Sequence, residues 1–386
     1  MKGRRVSTAV ANNAELSLFT STSRDFLDRE APIARVRELH QLGIPYERDW
    51  WQRGAEIGWT ALLVPEEFGG GCVSGDGVAD LTIVAEQFGR GVAPGPLLPV
   101  SAVAVALVEA STVAAHADTL RGVVAGTLVA SWAVAEPGRV FGDSPTTSAA
   151  LTARGYRIDG IKDRVEAGIS SDLLLVTAQG TQGVQQFLVP SNAAGVEISP
   201  QTGVDLVRDY ASIRFDGVEV GLDAAVGTPS ETTELVKRQA LVVQLLQCAE
   251  IIGALDSVFA MTVAWALDRH TFGRPLASYQ ALKHRFADMK THLEACRAIV
   301  AKATRDVSAR SADAAVSVSA AKAYVGEYSV AIAQDCVQLH GGIGVTWEHD
   351  LHVFLRRIEV DRALFGTTEE HQERVYAVLA EQEFTR

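Results

Sequence analysis

The sequence predicts an α+β protein of three domains: a helical domain over residues 1–122, an all-β domain over 123–228 and a helical bundle over 229–386. Two changes of hydrophobic period set these limits. The three- and four-residue apolar spacing of helices gives way to alternation near Val124 and returns at Glu231. Length agrees, because 386 residues exceed what a single core ordinarily serves. A chain 47% apolar and 21% charged has the composition of a soluble globular protein.

From about Leu16 to Leu42, Phe19, Phe26, Leu27, Ile33, Val36 and Leu39 share one helical face, and a second helix runs from Glu47 to Ile57 and stops at Gly58. Leu62–Gly71 is a loop closed by glycines. Residues 76–111 form helices interrupted near Gly91 and between Pro94 and Pro99. Seven short runs with turn residues between them then read as strands, at 128–134, 146–151, 156–160, 173–177, 185–189, 196–200 and 211–218. Four long helices follow at about 231–270, 279–308, 312–340 and 367–382, with a glycine loop at 341–344 and a shorter helical piece at 348–364. Their inward apolar faces suit an antiparallel bundle that also packs on another subunit.

A net charge of -12, with arginines scattered among more numerous carboxylates, excludes a nucleic-acid partner, which needs a basic face. Cys72, Cys248, Cys296 and Cys336 stand singly in apolar contexts without ligand spacing. They read as buried thiols of a reducing compartment, and no metal site is expected. Asn12, Asn13 and Glu15 interrupt the N-terminus where a secretion signal needs an apolar run. No stretch approaches the roughly 18 consecutive apolar residues of a membrane span, so a cytoplasmic protein is expected.

Chemistry concentrates between the first two bundle helices, in Asp268-Arg-His-Thr-Phe-Gly-Arg-Pro-Leu-Ala-Ser-Tyr-Gln280. Gly273 and Pro275 break the helix there, and Arg269 and Arg274 offer the forked donors that a pyrophosphate would take. Arg-x-x-Phe-Gly, followed seven residues later by Gln280 and then by Ala287-Asp288-Met289, resembles the signature of the acyl-CoA dehydrogenase family of flavoproteins. Gln338-Leu-His-Gly-Gly-Ile-Gly-Val-Thr-Trp-Glu348 and Gly366-Thr367 resemble its second and third blocks, and Pro65-Glu-Glu-Phe-Gly-Gly70 its N-terminal loop. The resemblance runs from about residue 14 to about 380 and is weakest in the middle. It implies a central β-barrel-like domain and a C-terminal four-helix bundle.

The same resemblance implies FAD as cofactor, an acyl thioester on CoA or a carrier protein as substrate, and an electron-transfer flavoprotein or other acceptor as partner. In the family a carboxylate takes the proton next to the thioester and the flavin takes a hydride from the next carbon. Arg269, Thr271, Phe272, Gly273, Gln280, Gln338, Gly341, Gly342 and Thr367 carry over as residues contacting the dinucleotide, the first two blocks reaching a flavin seated in the neighbouring subunit. Ser131–Gly138 resembles the strand along the flavin ring, with Ala135 where a Thr or Ser precedes Glu-Pro. Arg164-Val165-Glu166 stands where the family has Trp-Ile-Thr, which changes stacking area, hydrogen-bond direction and charge beside the ring.

The usual base is a Glu directly before the third block's Gly-Thr, and here that residue is Phe365; at the alternative family position stands Val243. Glu250, two turns beyond Val243 in apolar surroundings, is the candidate for a relocated base, with Glu166 and Asp143 behind it. The segment from His340 to Asp350 resembles an actinobacterial branch of the family, some members of which pair as unlike subunits with the base on one only. Three functions are therefore expected to compete: a homotetrameric dehydrogenase with a relocated base, a half-site subunit of a heterotetramer with a family paralogue, and a flavin oxidase or monooxygenase of the same fold.

Overall fold

The structure is a computed structural model that describes residues 2–384, with side chains described over 14–380. Six helices open the chain: α1 (Lys2–Glu30), α2 (Ile33–Leu42), α3 (Arg48–Ile57), α4 (Gly77–Gly91), α5 (Leu97–Glu109) and α6 (Ala117–Val124). The single helix expected over 16–42 is two, because Pro32 begins a new one. Gly58, at φ 111, ends α3, and Asp76 caps α4 by accepting from the Ala79 N–H. α5 is buried along almost its whole length, which its alanine and valine content makes sterically possible.

The sheet follows: β1 (Ala130–Ala133), β2 (Ser148–Thr152), β3 (Gly155–Glu166), β4 (Leu173–Gly180), β5 (Gly183–Pro190), β6 (Val196–Gln201), β7 (Tyr210–Val220) and β8 (Ala225–Val226). The strand order is β6-β7-β3-β2-β4-β5-β8, with β1 parallel to β4 at the side. The expected barrel-like closure is absent among the described residues, since β6 and β8 end the path unpaired with each other. β3 carries a bulge between Lys162 and Val165, with Arg164 at φ 50. The extra residue places Val165 in the sheet's own core and turns Glu166 to the other face, toward the helices.

Five helices complete the chain: α7 (Pro229–Asp268), α8 (Gln280–Ser308), α9 (Ala314–His340), α10 (Leu351–Ala363) and α11 (Thr368–Phe384). The four long ones are the expected bundle and α10 is the shorter piece. The loop expected at 341–344 is a 3-10 turn, Gly341–Val345. α7 starts from a capping box, Thr228 with Glu231, and Pro at its first turn. It contains a window long and apolar enough to cross a membrane, at mean hydropathy 1.5, contrary to the sequence reading; 83% of that window is buried against other parts of the chain. Cys248, Cys296 and Cys336 are buried as expected, whereas Cys72, in a glycine-rich loop, is exposed.

α4 and α7 cross backbone to backbone. A Cβ on Gly89 would lie 1.8 Å from the Glu250 carbonyl oxygen, and one on Gly253 would lie 1.9 Å from that of Glu86. Gly89→Ala is expected to destabilise the protein by about 1–3 kcal/mol in urea unfolding, although alanine favours a helix by about 1 kcal/mol over glycine. A neutral or stabilising result would mean that the two helices separate freely.

Candidate active site

A cavity of about 210 Å³ lies where the helical domain, the sheet and the bundle meet. Leu98, Pro99 and Ala102 of α5 form one wall, Trp132 of β1 with Val134 just beyond it another, and Val243 of α7 with Leu364, Phe365 and Gly366 a third. Residues 139–145 cover it, and the Phe141 carbonyl of that cover accepts from Arg374 Nη2 at 3.3 Å. Both family base positions, Phe365 and Val243, therefore face the cavity, and both are apolar.

Its centre is aromatic. Trp132 stacks on Phe365 with ring centres 5.7 Å apart and planes at 17°, and Phe141 meets Phe365 edge-on at 5.0 Å. Phe365 has φ 61, a left-handed conformation that a bulky residue adopts only when its surroundings impose it. Lys322, buried on α9, donates to the Asp361 carbonyl at 2.6 Å, the Leu364 carbonyl at 2.9 Å and Gln247 Oε1 at 3.0 Å. Gln244 Nε2 adds a bond to the Phe365 carbonyl at 2.9 Å. The turn is thus built by groups beneath it, whatever side chain position 365 presents. Burial lowers Lys322 to about 8, and His371, buried beside the same turn, to about 3.

The carboxylates lining the cavity are not equivalent. Glu136 is fixed: its oxygens accept from Lys162 Nζ at 2.8 Å and from the Thr146 and Thr147 N–H groups at 2.7 and 2.9 Å. Burial opposes its charge, but Lys162 and these donors outweigh burial and hold it at about 2. Asp143 accepts from the Val140 N–H, and Glu370 from the Thr367 N–H at the start of α11. Among the described residues Glu166 has no such bonds; Arg208 lies beside it, Nε to Oε1 at 3.4 Å, and burial pushes it up to about 7.

Glu250 stands elsewhere. It does not line the cavity; it is 1% exposed within an ion-pair cluster, bonded to Arg208 and 3.7 Å from Arg357. Arg208 also binds Asp361, and Arg357 binds Asp205 at 2.6 Å and the Ala93 carbonyl. With Glu166, two guanidinium groups face four carboxylates, so the cluster is short of positive charge. Burial raises Glu250 to about 8, while Arg357 holds Asp205 low in spite of its burial.

A group raised from 4.5 to about 8 keeps its proton longer in the folded state. Its stabilising contribution is complete below about pH 4.5 and is lost as pH rises through about 8. The wild type should therefore lose melting temperature relative to Glu250→Gln across that interval. A difference between the two proteins that is constant with pH would show that Glu250 does not carry this proton.

The family-derived dinucleotide residues lie outside the cavity, except Thr367, which lines it. Within the helix-to-helix connection that the sequence predicts, β9 (His270–Thr271) and β10 (Arg274–Pro275) form a hairpin with a two-residue loop. Its loop residues Phe272 and Gly273 have φ 51 and 81, the signature of a primed turn. Phe272 at the tip is 95% exposed, and Arg269, Gly273 and Gln280 are exposed with it. Tyr279 braces the hairpin, donating its hydroxyl to the Thr271 carbonyl at 2.7 Å and packing its ring 3.9 Å beneath Arg274.

A column of rings joins the first two sequence blocks. Arg269 lies 5.8 Å over Trp265, Trp265 stacks on His340 at 5.3 Å, and His340 meets His349 at 4.7 Å. Gln338, Gly341 and Gly342 are exposed at the end of the helix that carries His340. Among the described residues no group of three or more His, Cys, Asp or Glu is placed to hold a metal.

The models for the acyl-CoA dehydrogenase N-terminal and C-terminal domains match residues 13–127 and 235–380, and the chain belongs to that family, whose members are flavin-dependent oxidoreductases acting on CH-CH groups. It is 29% identical over 368 residues to the acyl-CoA dehydrogenase IpdE2 of Mycolicibacterium smegmatis, a match covering 94% of this chain and 98% of that protein. Among solved structures, a variant of the Tcur3481-Tcur3483 steroid ACAD is similar at TM-score 0.86 and 25% identity, over 96% of this chain and 99% of that one. The ChsE4-ChsE5 complex from Mycobacterium tuberculosis is similar at TM-score 0.85 and 25% identity, over 95% and 97%.

Proposed function

We propose that this chain is the half-site subunit of a flavin-dependent acyl-CoA dehydrogenase, a heterotetramer in which a paralogue carries the base. The observation that carries this reading is the Trp132–Phe365 stack, with Val243 beside it. These rings stand between the first strand and the 364–366 turn, where the family resemblance lays the flavin ring and its base, and with centres 5.7 Å apart they leave no room for that ring between them. The exposed hairpin and glycine turn do fit a dinucleotide seated in another subunit: Arg269 and Gln280 offer donors, and Gly341 and Gly342, without side chains, let the backbone come close to a phosphate. Two similar solved structures are of paired chains, Tcur3481-Tcur3483 and ChsE4-ChsE5. The substrate of the complex is an acyl thioester, and an electron-transfer flavoprotein is the class of acceptor.

Purified alone, the chain should be colourless and inactive. Co-expressed with a family paralogue that has Glu at the base position, it should co-purify as a yellow complex that an acyl-CoA bleaches. Glu250→Gln in this chain should leave the complex active. A yellow homomer that dehydrogenates acyl-CoA by itself, and that loses turnover by about 100-fold with Glu250→Gln, would replace this reading with that of a relocated base. A yellow homomer that consumes oxygen without acyl-CoA would indicate an oxidase or monooxygenase.

A further inference from the structure

The segment 346–350, between the Gly341–Val345 turn and α10, is held by contacts that depend on two uncharged histidines. His349 Nδ1 accepts from the Leu351 N–H at 3.2 Å, and His352 Nδ1 accepts from Arg356 Nε at 3.3 Å. Each imidazole therefore carries its proton on Nε2, and His352 donates that proton to the Trp347 carbonyl at 3.1 Å. Arg37 of α2 completes the clasp. It binds Asp350 through Nε at 3.1 Å and Nη2 at 3.0 Å, reaches the His349 carbonyl at 3.0 Å and lies 5.3 Å over the Trp347 ring, on which His352 stacks at 4.8 Å.

Neither Nδ1 can take a second proton without losing the donor that points at it. The new charge would also arise among cations. Facing His349 are Arg37 from α2, His340 from the end of α9, and Asp350 and His352 from its own stretch. Facing His352 are Arg37, Arg356 and Asp350, with His40 of α2 packed on Trp347 beside it. Asp350 is the carboxylate of this set, and Arg37 already neutralises it.

We propose that this segment is an acid-released clasp: protonation of His349 and His352 frees residues 346–350 from α2 and α10 while the rest of the fold persists. Burial holds both imidazoles below the ordinary histidine value of 6.5, so the closed form resists the proton that the open, solvated form takes. The clasp is thus at full strength above about pH 6.5 and weakens as pH falls below it. Each pH unit below that value favours the open form by up to about tenfold per histidine, or up to about 1,000-fold for the two at about pH 5. That bias brings to half occupancy an open state populated about one part in 1,000 at neutral pH. The segment continues the Gly341–Val345 turn, so acid would loosen the face that the half-site reading gives to the dinucleotide. This consequence rests on that reading; the clasp itself does not.

The test uses the full chain alone, without flavin or partner, so that its outcome is separate from that of the half-site reading. The difference between wild type and Trp347→Phe isolates the emission of Trp347. Its quenching by acrylamide should rise about twofold between about pH 7.5 and about pH 5, as a ring 44% exposed comes free, and should reverse on return. Far-UV circular dichroism should keep its helical signal throughout. The C2 proton resonances of His349 and His352, assigned from the single Asn variants, should titrate with the quenching and below about 6.5. In the double variant His349→Asn/His352→Asn, Oδ1 replaces each Nδ1 acceptor and takes no proton, so Trp347 should stay shielded at about pH 5. Quenching that does not change with pH, either resonance titrating at about 6.5 or above, or a double variant that opens at the wild-type midpoint would each overturn the proposal.

Discussion

Arg208→Met is expected to destabilise the protein by about 3–5 kcal/mol, measured by urea unfolding, and to leave little folded chain at 37 °C. Arg208 binds Glu250 and Asp361 and lies against Glu166, and its side chain is 4% exposed. Without it, three buried carboxylates are left with Arg357, which Asp205 and the Ala93 carbonyl already engage. Water cannot replace the lost charge at that depth, so the carboxylates must take up protons or the sheet must leave the bundle. Adding Glu250→Gln to Arg208→Met should recover part of the loss by removing one of the carboxyl groups left without its guanidinium partner. A single-variant loss below about 1 kcal/mol would mean that the cluster is hydrated in solution and that its charges are not the glue between sheet and bundle.

Arg269→Ala should lower flavin retention of the heteromeric complex by roughly tenfold or more, the effect of losing one charge-assisted bond of about 1.5–3 kcal/mol. The substitution separates recognition from folding. Arg269 is exposed, and its contact in this chain is the face of Trp265 at 5.8 Å. Its removal should shift the stability of the chain by no more than about 0.5 kcal/mol. The measurement is flavin absorbance per complex after dialysis. Unchanged occupancy in a complex that was yellow to begin with would show that the hairpin does not reach the dinucleotide.

The order of helix, sheet and helix was legible because it rests on local periodicity, and the family followed from three ordered motifs whose residues need no long-range information. The open sheet was not legible, since closure depends on whether the terminal strands pair, which alternation within a strand does not encode. Glu250 shows a second limit. It does share a helix face with Val243, but seven residues carry it about 10 Å along the axis, past the cavity and under Arg208. Glu166 shows the converse. Strict alternation along residues 162–166 would put Glu166 on the face of Lys162, and the bulge at Arg164 reverses it. The positive φ of an arginine has no signature in the sequence. Lys322 was missed for a similar reason: a lysine in an alanine-rich helix reads as surface until the carbonyls of a distant turn are found to close around it.

The hairpin tip has a bearing on how the chain is produced and handled. An aromatic ring 95% exposed, on a backbone conformation that glycine would adopt more readily, is a standing disadvantage for an isolated subunit. A surface that covers the ring would remove the first of these disadvantages and offset the second. An unaccompanied copy therefore presents an adhesive point to whatever it meets first, itself included. For the heteromer proposed above, matched synthesis of the two subunits would then bear on yield as much as on activity.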